Sequence, residues 1–177
     1  PIFVKNTRLI NLASWSALNH GSSTWTAVNG VLQATIPSQS GPIIRGYSKN
    51  LPGSTPYTVN TIIQPSAWRD GYYLLGIGFY DSASGKLKLF QLNGASSASY
   101  LMIENYTTTT SFSSLVVSRE FEPSAPLYLR ITNDGTDWKY SFSQDGRVYT
   151  QFYTETVNTF LTPDKVVLHI NQNDANY

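Results

Sequence analysis

The chain contains no cysteine, which excludes a disulfide framework, thiol catalysis and thiolate metal sites. Charge is scarce: Asp, Glu, Lys and Arg make up 13% of the 177 residues, against about a quarter in an average soluble domain. The 12 basic residues nearly cancel the 11 acidic ones, and neither sign forms a run, so there is no electrostatic footprint for nucleic acid or an anionic membrane surface. No stretch approaches the roughly 18 apolar residues of a membrane-spanning helix, which argues against membrane insertion. The opening PIFVKNTRL lacks the apolar core of a signal peptide. Pro1 is consistent with loss of an initiator Met or with excision from a longer chain. Helical periodicity is missing too, apart from a single turn expected near Ser14 to Asn19. Internal repeats are absent, which disfavours a propeller or solenoid.

Aromatic residues, by contrast, reach 14%, with 12 tyrosines, and Ser, Thr and Asn outnumber the charged residues by about two to one. From Leu127 to Phe152 the chain alternates apolar and polar residues through three strands. Leu127, Leu129 and Ile131 face one way, as do Trp138, Tyr140 and Phe142 in the next strand. The breaks fall at Asn133-Asp134-Gly135-Thr136-Asp137 and Gln144-Asp145-Gly146-Arg147, where Gly supplies the positive φ of a hairpin turn and Asp bonds its own backbone. Further strands are expected at Ile2 to Leu9, in a hairpin around Asn29-Gly30, at Tyr57 to Gln64, Tyr72 to Tyr80, Lys86 to Leu92, Tyr100 to Tyr106, Ser114 to Val117 and Val166 to Ile170. About ten to twelve strands spaced roughly ten residues apart predict one all-β domain over residues 1–177, a two-sheet antiparallel β-sandwich or jelly roll. Trp15, Trp25 and Trp138 sit at regular strand or hairpin positions and are expected in its core.

Two stretches carry a family likeness. Leu12-Ala13-Ser14-Trp15, followed by Trp25 and Val28-Asn29-Gly30-Val31-Leu32, resembles the opening of concanavalin A-like (laminin G-like) jelly-roll domains. Tyr128-Leu129-Arg130-Ile131 and Trp138 to Gly146 resemble the branch found as accessory domains beside glycosidases. Tyr149 stands where that branch usually carries Trp, and the chain stops at Tyr177, where a closing strand would be expected. The resemblance implies carbohydrate binding or cell-surface adhesion, with a glycan or cell-surface polysaccharide as partner. The same architecture also serves as spacer and shell, so a structural or assembly protein such as a virion decoration or tail component, with homo-oligomer contacts, is the alternative. The uncharged Ser/Thr/Asn-rich composition is frequent in secreted adhesins and virion fibres, an extracellular, cell-surface or virion setting.

Sugar recognition calls for an aromatic face rimmed by hydrogen-bonding groups. Trp68-Arg69-Asp70-Gly71-Tyr72-Tyr73 places such groups in one loop, so Trp68, Arg69, Asp70 and Tyr72 are the first candidates. Arg130, with Lys86, Lys88, Tyr100 and Glu104, is expected on a polar strand face that lines a concave sheet or is simply solvated. Catalysis finds little support. Glu120 and Glu122 share a strand face in Arg119-Glu120-Phe121-Glu122, but the Glu-x-Asp-x-x-Glu pattern of hydrolytic relatives is absent and Pro123 follows at once. His20 and His169 are the only histidines, and His169 reads as a strand residue rather than a triad member. No cofactor is implied. Asp134 with Asp137, or Asn171 with Asn173 and Asp174, offer calcium-type oxygens, but in turns where Asp and Asn are expected anyway. Asn105-Tyr106-Thr107 is a glycosylation sequon by pattern.

Overall fold

The computed structural model describes residues 12–28, 31–37, 41–64, 73–94, 98–122 and 126–172. A short 3-10 turn at Leu12–Ser14 precedes the strands β1 (Ser16–Leu18), β2 (Thr24–Val28), β3 (Val31–Thr35), β4 (Arg45–Asn50), β5 (Tyr57–Ile63), β6 (Tyr73–Tyr80), β7 (Leu87–Gly94), β8 (Ser99–Thr108), β9 (Ser111–Glu120), β10 (Leu127–Asn133), β11 (Asp137–Ser143), β12 (Thr150–Thr156) and β13 (Lys165–Gln172). All pairings are antiparallel. A seven-stranded sheet runs β1-β4-β13-β6-β7-β8-β9, a four-stranded sheet runs β12-β11-β10-β5, and β2 and β3 form a separate hairpin. The predicted all-β sandwich is therefore the observed architecture.

The meander is β10, β11 and β12, as the alternation requires. Its first turn is closed by Asp134, whose Oδ1 accepts from the backbone N–H groups of Thr136 and Asp137 at 3.0 and 2.8 Å. In the second, Asp145 Oδ1 accepts from Arg147 and Val148 at 2.8 and 3.0 Å, and Gly146 takes a φ of +72°. Both carboxylates are held in the charged form: Asp145 is lowered to about 2 mainly by backbone N–H groups, and Asp134 lies lower still, chiefly through its hydrogen bond with Lys139 and then through the backbone N–H groups of Asp137 and Thr136.

Three expectations are amended. Ser16–Leu18 is a strand paired with β4, not part of a helical turn. β4 itself, Arg-Gly-Tyr-Ser-Lys-Asn, shows no clean alternation, and it becomes a strand because β1 and β13 pair with its two edges. Lys88 is not on a solvated face. It lies beside Phe79 across the pairing, between the two sheets, and its ammonium meets Glu155 of β12 at 2.5 Å. The expected strand Ile2 to Leu9 and the Asn29-Gly30 turn lie outside the described residues, although Val28 does pair with Val31 on either side of that turn.

The main core fills the space between the sheets. Ile77, Phe79, Phe90, Leu92, Leu101, Ile103 and Val166 of the larger sheet meet Ile63, Leu127, Leu129, Ile131, Trp138, Tyr140 and Phe152 of the smaller. Trp138 is fully buried with Phe79 at a ring distance of 4.8 Å, as expected of a core tryptophan. Trp15 packs at the margin of this core, and Trp25 instead stacks on His20 at 5.0 Å, with Tyr47 edge-on to both.

The larger sheet also buries its other face, because it curls. Ile44, just before β4, donates its N–H to Thr109 in the β8–β9 turn at 2.7 Å, although β13, β6 and β7 separate β4 from β8 in the sheet. Leu18, Ile44, Leu87, Leu89, Tyr106 and Val167 form a second apolar cluster inside that curl. β7 is consequently buried on both faces over most of its length.

The second turn of the meander supplies a direct check. A Cβ on Gly146 would lie 2.7 Å from the Tyr128 ring, on a backbone conformation that side chains rarely adopt. Gly146→Val is expected to destabilise the fold by about 2 kcal/mol, read as a lower midpoint in chemical unfolding; an unchanged midpoint would refute the turn geometry.

Candidate functional site

The concave face of the curled sheet carries an unusual polar set. Antiparallel pairing aligns Leu74, Asn93, Tyr100 and Asn171 in one row across β13, β6, β7 and β8. The next row holds His169, Gly76, Gln91 and Met102, with Gly46 of β4 on the far side of His169. Val167, Gly78, Leu89 and Glu104 follow, then Lys165, Tyr80, Leu87 and Tyr106. Glycines therefore flank His169 on both neighbouring strands. Packing enforces both, since a Cβ on Gly46 would fall 1.9 Å from the Leu168 carbonyl oxygen and one on Gly76 2.2 Å from that of Phe90.

Gln91, His169 and Asn171 are buried on this face, while Asn93, Tyr100 and Glu104 are half-buried around them. Glu104 Oε2 is the hub, accepting from Gln91 Nε2 at 2.6 Å and from the Tyr106 hydroxyl at 2.8 Å. Asn171 Oδ1 accepts the Ile43 N–H at 3.0 Å, tying the segment before β4 to the same face. Among the described residues eleven buried side-chain atoms have no hydrogen-bond partner, and four that face this side of the sheet are Gln91 Oε1, Asn93 Oδ1 and both ring nitrogens of His169; the Asn171 side chain also lies against the Tyr106 hydroxyl. Each unmet group costs on the order of 1–3 kcal/mol, and native proteins satisfy nearly all of them. On the concave face these atoms mix donors and acceptors, and the half-buried Asn93, Tyr100 and Glu104 lie among them.

Burial shapes the charge there. It pushes the Glu104 carboxyl up, against the opposing hydrogen bonds from Tyr106 and Gln91. It also raises the Tyr106 hydroxyl, which the Glu104 charge raises further. Desolvation alone lowers His169 to about 3, so the imidazole is neutral near neutral pH and offers one donor and one acceptor.

Of the residues expected to form a site, Trp68, Arg69, Asp70 and Tyr72 lie outside the described residues. The polar-face group is dispersed by the structure. Tyr100 and Glu104 lie on the concave face, Lys88 points between the sheets, and Lys86 rests over the Phe160 ring at 5.1 Å. Arg130 is on the opposite side of the sandwich, on the outer face of the four-stranded sheet. There its guanidinium lies 3.4 Å from the centre of the Tyr149 ring and donates from Nε to Asn60 Oδ1 at 2.8 Å. A shared sign of polarity does not imply a shared sheet, which is why these residues could not be grouped from alternation alone. Glu120 and Glu122 are both exposed at the end of β9. The sequon residue Asn105 is buried and donates to Ser114 Oγ at 3.1 Å. Asp134 spends its oxygens on its own turn and on Lys139; Asn173 and Asp174 lie outside the described residues.

Sequence reasoning overlooked Gln91 and Asn93; it named His169 only as a strand residue and Asn171 only as a calcium-type oxygen in a turn, whereas both are buried on β13. The available signal was Leu-Lys-Leu-Phe-Gln-Leu-Asn, an almost continuous apolar run whose few polar members cannot all be solvated, opposite a strand containing Gly76 and Gly78.

No family model matches the chain, and no curated protein matches it. Solved structures do resemble it. The carbohydrate-binding module CBM66 from Bacillus subtilis is 11% identical, with a TM-score of 0.54 over 89% of this chain and 86% of that one. A functionally unknown protein from Saccharomyces cerevisiae is 13% identical with a TM-score of 0.58, covering 90% of this chain and 86% of its own. A protein of unknown function from Shewanella oneidensis MR-1 is 14% identical, also at 0.58, covering 94% and 74%. At such identities the likeness establishes the β-sandwich fold that these proteins share.

The burial of His169 makes a pH prediction. A histidine held below its unfolded value of about 6.5 contributes stability that is complete above that value and lost as the pH falls toward about 3. His169→Gln, which cannot titrate, is expected to flatten the fall in melting temperature between pH 7 and pH 4; parallel curves for the two proteins would contradict the buried neutral imidazole.

Proposed function

We propose that this chain is a non-catalytic carbohydrate-binding or cell-surface adhesion module, whose partner is a glycan or cell-surface polysaccharide in an extracellular, cell-surface or virion setting. The observation that supports the reading is the mixed donor and acceptor set of the concave face, where Asn93, Tyr100 and Glu104 are half-buried and Gln91, His169 and Asn171 lie behind them. A sugar hydroxyl both donates and accepts, so a ring with adjacent hydroxyls answers such a mixed set where a purely anionic or cationic ligand does not. The fold similarity to a protein named as a carbohydrate-binding module, and the resemblance of Trp138 to Gly146 to accessory domains beside glycosidases, support the same reading.

Trp68, Arg69, Asp70 and Tyr72 belong to the proposal as the stacking and rim groups. Their segment leads into β6 at Tyr73, beside Leu74, whose row holds Asn93, Tyr100 and Asn171. Arg130, braced on Tyr149, would form a separate contact on the other sheet. An assembly role is the second reading, favoured by the long exposed edge strand β9, with Phe112 and Leu115 half-exposed, and by Ile62 and Val148 at 61% and 73% exposure.

A glycan-array screen, followed by calorimetry on the strongest ligand, tests the first reading. Gln91→Leu and Asn171→Leu are expected to weaken binding by about tenfold or more each, and Trp68→Ala to abolish it with little change in melting temperature. A silent array from a chain that light scattering shows to be a stable multimer would favour assembly.

A further inference from the structure

The Lys88–Glu155 contact joins the two sheets through side chains that are only 2% and 8% exposed. Lys88 Nζ lies 2.5 Å from Glu155 Oε2, while the Tyr140 hydroxyl donates to the other carboxylate oxygen, Oε1, at 2.8 Å. The Trp138 and Phe160 rings stand 5.9 and 6.0 Å from the same Nζ, so aromatic surfaces rather than water surround the pair. Two buried charges carry a desolvation penalty that their attraction only partly offsets. An amine and a carboxyl held in contact on rigid strands are also under the conditions that accelerate intramolecular reactions most strongly.

We propose that Lys88 and Glu155 condense to a side-chain amide, a covalent bolt between β7 of the seven-stranded sheet and β12 of the four-stranded sheet. One proton passes from the Lys88 ammonium to Glu155 Oε2 along the existing hydrogen bond. The amine lone pair then adds to Cδ, forming the N–C bond, while the Tyr140 hydroxyl stabilises the charge that develops on Oε1. A second proton moves from the nitrogen to Oε2, the Cδ–Oε2 bond breaks, and Oε2 leaves as water. Oε1, still held by Tyr140, becomes the amide carbonyl oxygen. No oxidant, metal or cofactor enters the balance. Burial and the neighbouring carboxylate keep Tyr140 protonated and able to donate throughout. The product replaces two buried charges with one neutral amide whose carbonyl is already hydrogen-bonded.

Intact mass spectrometry of the folded chain under denaturing conditions tests this directly. The expected mass is that of the sequence less one water, with a protease digest yielding a branched peptide that joins the segments around Lys88 and Glu155. Lys88→Arg and Glu155→Ala are each expected to show the full mass of their own sequence. Folded wild-type protein at full mass would overturn the proposal, whether or not the variants fold. So would a missing water that maps to Asp134-Gly135 or Asp145-Gly146, where cyclisation at the turn would produce the same loss.

Discussion

The curl of the seven-stranded sheet is the constraint on which the rest of the molecule depends. A flat sheet of that width, packed against four strands, would leave one whole face in water. Here the segment before β4 reaches the β8–β9 turn through the Ile44–Thr109 hydrogen bond, and the sheet folds over its own outer surface. Its central strands are buried on both sides, between the main core and the smaller cluster around Leu87, Leu89 and Tyr106. Polar residues on those strands are therefore removed from water, and every one of them needs a partner. Glu104, Gln91 and Tyr106 find one another, and Asn171 takes the Ile43 N–H, whereas Gln91 Oε1, Asn93 Oδ1 and the His169 ring do not.

The two faces of β7 show how differently the fold treats a buried polar group. On the inner face Lys88 is matched by Glu155, and Tyr140 completes the carboxylate, so the ionic groups are satisfied across the sandwich. On the concave face, three strand positions further along, Gln91 satisfies Glu104 with its amide nitrogen but leaves its oxygen unused. One arrangement joins the sheets; the other holds hydrogen-bonding capacity in reserve. The concave set costs stability, a cost that the proposed ligand would offset.

Much of this architecture was legible in the residues. The Asp-Gly turns and the alternation through Leu127, Trp138 and Phe142 specify the meander, because hairpin chemistry and period-two burial are local properties. Trp138 reads as core for the same reason. The curl was not legible: it arises from contacts between Ile44 and Thr109, residues far apart in sequence with no local signal. Without it, Lys88, Glu104 and Arg130 look like members of one solvated face, although they lie between the sheets, on the concave face and on the outer face of the other sheet. β4 was missed because its strand character comes from its two neighbours rather than from its own composition. The Trp68 loop rests on composition alone, and its role belongs to the functional proposal.

The most direct measurement is a side-chain NMR titration with a neutral oligosaccharide that the chain binds, observing the amide groups of Gln91, Asn93 and Asn171 and the ring of His169. Early, saturable shifts at these four side chains are predicted, with Arg130 and Tyr149 moving less. Binding that leaves all four unperturbed while shifting Tyr149, Tyr128 and Arg130 would contradict the assignment of the concave face and move the site to the four-stranded sheet.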